Sequence, residues 1–242
     1  MILQALYEYY HRMKACGDPE LPPYGFTREG IHFVLVIDKN GNLVGVQDVR
    51  DVTGKKPQAI RQKVPEAVIR SSNIAANFLW DNSGYVLGVD LKKKSDKTLE
   101  KFNTFKKLLH TIGDDVHDPG MKAVIKFIDS WKPNKLPPHV DWQEIAGKNL
   151  AFRLDTERCF IHERPAVIEA WLDYKRKIND SLEKGQCLIT GKIAGISQLH
   201  NPIKGIYDPG GQVQKRIVSF NMDAFTSSVS YTHLTLPTIY SV

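Results

Sequence analysis

The sequence predicts an α+β fold, with an N-terminal helix and β-hairpin leading into a mixed α/β domain, followed by a long helix with short strands. Two observations predict it: helical apolar spacing at the start of the chain, and β-rich runs around an Asn-Gly turn soon afterwards. The chain has 242 residues, of which 42% are hydrophobic and 25% charged. That length and composition are enough to form a substantial hydrophobic core.

The first predicted unit is a helix followed by a hairpin. Apolar residues recur at three- and four-residue spacing at Ile2, Leu3, Leu6, Tyr10 and Met13. Gly17 is placed to end this helix. Residues 31–37 and 43–46 are β-rich and flank Asn40 and Gly41, which favour a tight turn because they tolerate positive φ angles.

The middle of the chain predicts a basic loop, a strand and two helices. Residues 51–72 are interrupted by Pro57 and Pro65, which suggests an exposed loop or a short irregular helix. Residues 85–91 favour a strand. A first helix is marked by Leu99, Phe102, Phe105, Leu109 and Ile112. Asp118 and Pro119 are a cap and first-turn pair for a second helix, with Val124, Ile125, Ile128 and Trp131 facing inward.

The last third predicts one long helix among short strands. Residues 133–138 suggest a linker and residues 150–154 a strand. Pro165 begins what we expect to be the longest helix, ended by Gly185, with an inward face formed by Val167, Ile168, Trp171, Leu172, Ile178 and Leu182. Residues 187–190 and 217–220 are strand candidates.

We expect three segments: 1–138, a helix-hairpin and basic region; 139–227, a second α+β segment; and 228–242, a non-native tail. The last segment contains no Lys, Arg, Asp or Glu, which is unusual at ordinary charge frequencies. It is therefore left out of the fold reasoning.

Positive charge is concentrated in one part of the chain. The formal net charge is +6, and the window from Arg50 to Lys107 alone contains thirteen Lys and Arg residues against six acids. Such a patch is typical of a nucleic-acid binder, although the total charge is also compatible with many enzymes.

Cysteine usage and the N-terminus favour a cytoplasmic protein with no membrane contact. Cys16, Cys159 and Cys187 are odd in number and widely spaced, which fits reduced thiols better than disulfides. The first residues lack the pattern of a signal peptide, and no apolar run approaches the roughly 20 residues needed to span a bilayer.

Four ordered blocks of sequence resemble one protein family. They are MILQALYEYY with LPPYGF at the start; FVLVID with Gly41; ANFLWDN with YVLG; and CLITG followed by LH, IKG, SFN and AF. Together they resemble the large subunit of the subtype I-C CRISPR surveillance complex (Cascade). The proteins of that family are considerably longer, so we expect the chain to be a truncated N-terminal portion.

The resemblance implies a non-catalytic role without a cofactor or metal. In RNA-guided recognition, pairing with guide RNA reads the target sequence and protein reads a short flanking motif, the protospacer-adjacent motif. The expected partners are double-stranded target DNA, the displaced strand, other Cascade subunits with the guide RNA, and the helicase-nuclease that the large subunit recruits.

Three groups of residues are candidates for DNA contact. The first is the basic segment with Lys55, Lys56, Arg61, Lys63 and Arg70, which could instead be a solvated charged loop. The second group consists of amides that could read base edges, Asn73, Asn77 and Asn82. Beside them stand Phe78 and Trp80, apolar residues that could wedge a base step. The asparagines could instead form turns, and the aromatic residues could instead belong to the core. The third is the run Lys92, Lys93 and Lys94, continued by Lys97, Lys101, Lys106 and Lys107. These lysines could instead form only the solvent-exposed face of a helix.

Two other functions remain open at this point. One is a cytosolic metal-dependent hydrolase that uses Cys159, His162, Cys187 and His200, although their spacing matches no standard zinc site. The other is a purely structural subunit whose basic face docks on neighbouring proteins of the complex.

Overall fold

The computed structural model describes residues 2–70, 73–90, 96–133, 135, 137–138, 140–187 and 189–196. The chain divides into two compact units. The first, here called the sheet unit, is Gly25–Tyr174, and the second, the terminal unit, combines Met1–Tyr24 with Lys175–Val242. Helices and mixed sheets together confirm the predicted α+β class.

The sheet unit contains six strands and several helices. In chain order they are β1 (Phe26–Ile31), β2 (Phe33–Ile37), β3 (Leu43–Asp48), β4 (Ile60–Pro65), β5 (Trp80–Asn82), α2 (Ser83–Val86), α3 (Asp96–Gly113), α4 (Pro119–Ser130), α5 (Trp142–Ile145), β6 (Asn149–Leu154), a 3₁₀ turn (Ile161–Glu163) and the start of α6 (Pro165–Ser181). Helix α1 (Ile2–Ala15) precedes them in the terminal unit.

The central sheet has four strands in the order β3-β2-β6-β5. Strand β2 pairs antiparallel with β3 and parallel with β6, with Leu35 opposite both Val46 and Phe152. The predicted hairpin between β2 and β3 is confirmed. Its turn is held by Asp38, whose Oδ1 accepts backbone N–H groups from Asn40 and Asn42, both at 2.8 Å.

The two faces of this sheet cover different cores. Alternate residues of β2 and β6, such as Leu35 and Phe152, join the large apolar core with helices α3 and α4. On the opposite face, Trp80 and Ala151 pack with Ile31 and Val64 in a smaller core. Ile31 and Val64 belong to a separate antiparallel pair, β1 and β4, here called the ribbon. The unit therefore has three layers: helices, central sheet and ribbon.

The helix predictions of the middle region are confirmed. Buried residues along α3 include Phe105 and Leu109, and α4 buries Val124 and Ile128 as expected. The side chain of Asp118 caps α4 by accepting the Met121 N–H at 2.9 Å, and Pro119 occupies the first turn. An N-cap carboxylate and a following proline are the pattern expected where a helix begins.

Two predictions for the middle of the chain need correction, the first only in part, because residues 51–58 do form an exposed loop. Residues 60–65 form β4, in which Ile60, Gln62 and Val64 alternate with Arg61 and Lys63. The face with Val64 packs on the smaller core, whereas on the other face Arg61 is exposed and Lys63 is half-buried. Residues 85–91 do not begin as a strand: Ser83–Val86 forms a helix, because the Asn82 side chain accepts the Gly84 N–H at 3.1 Å and caps it.

The terminal unit contains α1, the end of α6, and the short antiparallel strands β7 (Lys184–Gln186) and β8 (Ile193–Gly195). Gly17 ends α1 with a φ of +66°, as predicted. The prediction for α6 is wrong in part. Ile178 and Leu182 are exposed rather than inward, Gly185 lies in β7 rather than ending the helix, and α3 is one residue longer than α6.

The sheet unit spans the segment boundary expected after residue 138, because β6 lies between β2 and β5 in the central sheet. The strand candidate 217–220 and the tail 228–242 lie outside the described residues. In the part of the chain that the structure describes, no helix combines the length and apolar composition needed to cross a bilayer.

Candidate nucleic-acid interface

An exposed loop at residues 51–58 presents the first pair of predicted cations. Asp51 and Gln58 close its base by exchanging two backbone hydrogen bonds of 2.8 and 2.9 Å. Inside the loop, Asp51 Oδ1 accepts the backbone N–H and the hydroxyl of Thr53, and these bonds lower the pKa of Asp51. Lys55 and Lys56 therefore extend into solvent from a loop whose two ends are fixed.

The ribbon continues the basic surface directly from this loop. Arg61 and Lys63 lie on the face of β4 that points away from the smaller core, because that core takes the alternate residue Val64. Arg61 is exposed and stands opposite Gly30, which has no side chain to cover it. Lys63 is half-buried and stands opposite Arg28. We call loop 51–58 and this outer face the basic surface.

The cations of the sheet unit fall into two groups. Some are engaged by carboxylates: Arg50 pairs with Asp48 and Glu144, Arg70 with Asp81, Lys106 with Asp129, and Arg164 with Asp118 and Glu157. Among the residues that the structure describes, no carboxylate pairs with Lys55, Lys56, Arg61 or Lys63. These four keep their charge available to an anion in solution.

Arg70 does not belong to that available group. Its guanidinium pairs with the buried carboxylate of Asp81 and lies over the Tyr85 ring, 4.1 Å from the ring centroid. Burial raises the pKa of Asp81, and the Arg70 cation offsets that shift in part. A buried carboxylate without its countercharge is costly, so the ion pair holds Arg70 at Asp81, and contact of Arg70 with phosphates stays a prediction that this geometry does not favour.

The three predicted asparagines have different surroundings. Asn77 is only 4% exposed, and its Oδ1 accepts the Val68 N–H at 2.9 Å. Asn82 is used as the cap of α2. Base reading by Asn77 or Asn82 is therefore not supported by this geometry. Only Asn73 is exposed, and among the described residues none hydrogen-bonds to its amide.

The wedge interpretation of the neighbouring aromatic residues is not supported either. Phe78 is fully buried and stacks on Trp171 with ring centroids 5.5 Å apart. Trp80 is buried in the smaller core and donates its indole N–H to the Pro65 carbonyl at 2.8 Å. Both rings support the fold of the sheet unit and cannot enter a base step.

Comparison with known proteins identifies the family. Residues 6–237 match the model of the family described as CRISPR-associated protein (Cas_Csd1). This match covers most of the chain. The chain belongs to the Csd1 family of CRISPR-associated proteins. No curated protein matches it closely enough to count as a relative.

Membership of the Csd1 family confirms the resemblance to the subtype I-C large subunit and makes the chain a Cascade-type CRISPR-associated protein. The matched range extends to residue 237 and so includes most of the segment 228–242, which the sequence alone set apart as a tail.

The lysine-rich run of this Csd1-family chain is described only in part. Lys92, Lys93 and Lys94 lie outside the described residues. Of the lysines that continue the run along α3, Lys106 is paired with Asp129 at 2.8 Å, and the Lys101 ammonium lies 5.8 Å from the Tyr85 ring centroid. Lys97 and Lys107 are exposed.

The alternative metal site gains no support from the geometry. His162 is fully buried, its Nε2 lies 3.0 Å from the Lys63 carbonyl oxygen, and its ring stacks on Phe160. Cys159 is exposed and donates to Glu157, while His200 lies outside the described residues. Among the residues described, no group of three or more His, Cys, Asp or Glu side chains could hold a metal ion.

Sequence reasoning missed Arg28, a half-buried cation that stands opposite Lys63 in the ribbon and already makes an interaction of its own. Its strand carried a weak signal, because only Thr27 among residues 27–30 favours a β conformation. A search for a partner strand to the alternating residues of β4 could have found it.

Proposed function

We propose that this Csd1-family chain is a non-catalytic DNA-binding subunit of an RNA-guided interference complex, and that its basic surface contacts the phosphates of the target duplex. The observation that carries this proposal is the group of four cations on one loop and one strand, none of which pairs with a carboxylate of the described residues. Lysines and arginines that meet phosphates release condensed counterions, which favours binding at low salt.

The arrangement of the cations along the loop and the ribbon also supports phosphate contact. Arg61 and Lys63 lie on one face of β4, and Lys55 and Lys56 lie on the adjoining loop, so the four cations follow one another along one surface. A duplex supplies phosphates at regular spacing along its length, which suits a row of cations.

The finer roles are also proposals. Within the complex, the chain recognises the protospacer-adjacent motif, assists duplex opening, holds the displaced strand and recruits the helicase-nuclease. We assign base reading to Asn73, because an exposed amide can donate and accept at base edges. The Lys92–Lys94 run, with Lys97 and Lys107, follows the displaced strand. The protein acts in the cytoplasm, where its DNA target lies.

A structural role on neighbouring subunits is the second candidate, and one observation favours it. Leu99 at the start of α3 is 57% exposed, and together with Asn103 and Lys107 it lines an open groove of about 400 Å³. An exposed leucine in a groove is a suitable contact for a partner protein. This contact is compatible with DNA binding by the basic surface.

The test of DNA binding is the salt dependence of duplex affinity in the assembled complex. Charge reversal of Lys55, Lys56 and Lys63 to Glu should weaken all duplexes alike and reduce the slope of log K against log salt by roughly 2–3, at about 0.9 per lost phosphate contact. Lys39→Glu is the matched control, because Lys39 is exposed in the hairpin turn at the opposite end of β2 and β3 from loop 51–58.

The two candidate functions give different results. An unchanged slope in the triple variant, with normal assembly of the complex, would show that the basic surface does not meet DNA. Loss of assembly with unchanged affinity of the remaining complex would select the structural role.

A further inference from the structure

The exposed Asn73 lies in a segment whose two ends are joined by hydrogen bonds. The Val68 N–H donates to Asn77 Oδ1 at 2.9 Å, and Arg70 Nε donates to the Ala75 carbonyl at 2.6 Å. These two bonds join the described residues on the two sides of Asn73. Because only a few residues separate Arg70 from Ala75, the hydrogen bond between these two residues limits the positions that Asn73 can take.

Arg70 is itself fixed by three groups. Besides the Ala75 carbonyl, it pairs with Asp81 and lies over the Tyr85 ring. Asp81 is 1% exposed, and its two oxygens also accept the backbone N–H groups of Asn77 and Asn82 at 2.9 and 2.8 Å. One buried carboxylate therefore holds both the Arg70 side chain and the backbone where the segment ends.

The backbone at Leu79 makes this arrangement possible. Leu79 has a φ of +61°, in the left-handed region that a leucine rarely adopts. The sharp turn brings Asp81 back toward the Asn77 amide four residues earlier. Strained backbone of this kind persists where the surroundings determine it fully, and Phe78 and Trp80 on either side are both buried.

We propose that Arg70 is a positioning residue that holds Asn73 in place for base contact, and that it does not contact phosphate itself. This inference rests on the proposed function, since it presumes that Asn73 meets a base. It gives Asn77 and Asp81 a role in specificity through the shape of the segment, although neither touches DNA.

The test compares two substitutions of Arg70 in the assembled complex, using a panel of duplexes that differ only in the flanking motif. Arg70→Lys keeps a cation beside Asp81 but cannot donate to Ala75 and Asp81 in the geometry of a guanidinium. If Arg70 positions Asn73, Arg70→Lys should lower discrimination among motifs by about tenfold, as Asn73→Ala should, and leave the salt slope unchanged. Arg70→Gln should lower discrimination at least as much, again with no change of slope.

A phosphate contact predicts the opposite pattern. Arg70→Lys would then behave as wild type, and Arg70→Gln would reduce the slope by about 0.9 while weakening all duplexes equally. Either result overturns the inference. If Arg70→Gln fails to assemble, Arg70→Lys decides the question, and Asp81→Asn provides a second test. By releasing Arg70, Asp81→Asn should lower discrimination, and unchanged discrimination in that variant would also overturn the inference.

Failure of the proposed function is distinguishable from failure of the inference. If Asn73→Ala leaves discrimination unchanged, the base contact at Asn73 is wrong. If Asn73→Ala lowers discrimination and Arg70→Lys does not, the base contact stands and the positioning role of Arg70 is wrong.

Discussion

Arg164 donates through Nε to both carboxylate oxygens of Asp118, at 2.7 and 2.8 Å, and so joins the segment before α6 to the beginning of α4. Asp118 also caps α4 by accepting the Met121 N–H. One carboxylate thus serves two elements of the sheet unit, and Arg164 makes a further ion pair with Glu157.

Asp118→Ala should destabilise the sheet unit by about 2–4 kcal/mol, because it removes a helix cap and leaves the largely buried Arg164 without its main partner. Urea denaturation measures the change. Asp115→Ala is the control, since Asp115 is exposed three residues earlier and should cost less than about 0.5 kcal/mol. Equal effects of the two substitutions would contradict the double role of Asp118.

The buried His162 should make the fold sensitive to acid. Burial lowers the pKa of His162 to about 4, against 6.5 for an ordinary histidine, although its bond to the Lys63 carbonyl acts in the other direction. Between pH 6.5 and 4, His162 is protonated in the unfolded chain but stays neutral in the folded chain. The free energy of unfolding therefore decreases as pH is lowered, by up to roughly 3 kcal/mol across this window. Above pH 7 the effect is absent.

His162→Gln should remove this part of the acid sensitivity, and urea unfolding at pH 7.5, 6 and 5 measures it. The two proteins should differ in their pH dependence only below about pH 6.5. An identical pH dependence in the variant would mean that His162 is protonated as easily in the folded state as in the unfolded one.

His110 should act in the opposite direction. Burial alone would lower its pKa, but hydrogen bonds to Asp114 at 2.8 Å and Asp129 at 3.0 Å outweigh burial and raise it. The stabilisation is therefore fully present below the ordinary pKa of a histidine and is lost as pH rises through the higher folded-state pKa.

The expected gain is less than about 1 kcal/mol, because the side chain is partly exposed and solvent screens the pairs. Unfolding of wild type and His110→Gln from pH 6 to pH 8.5 measures it. The difference in stability between them should shrink toward high pH, and a difference that grows with pH would refute the assignment.

Gly41 in the hairpin turn should not tolerate a side chain. Its φ is +84°, and a Cβ there would lie 2.6 Å from the Phe127 backbone nitrogen. Gly41→Ala should therefore lower the free energy of unfolding by more than about 1 kcal/mol. Gly45→Ala, in the adjoining strand, is the matched control because a Cβ there meets nothing within 4 Å. Thermal unfolding of the two variants should differ clearly, and similar melting temperatures would contradict the prediction.

Local patterns predicted the local parts of this fold. The helix α3, the cap at Asp118 and the hairpin at Gly41 each depend on residues close together in the chain, so spacing and turn chemistry were sufficient. The ribbon could not be predicted in the same way. The pairing of β1 with β4 depends on residues on both sides of a hairpin, and the basic residues of β4 suggested an exposed loop.

The candidate site was predicted in part for a similar reason. Charge singled out Lys55, Lys56, Arg61 and Lys63, because lysine and arginine side chains mostly stay in solvent. Charge did not separate Arg70 from them, since its partner Asp81 is buried and lies across a turn. Nor did residue type distinguish Asn73 from Asn77, because only the folded backbone determines which amide is exposed.

The parallel pairing of β2 with β6 determines when this protein can fold during synthesis. Strand β2 leaves the ribosome well before its neighbour from Asn149 to Leu154, which follows after most of the sheet unit has been translated. Until then both β2 and the apolar faces of α3 and α4 lack their central support. The nascent chain must therefore protect an open β edge while the residues between β2 and β6 are translated, a period in which chaperone binding or aggregation competes with completion of the sheet.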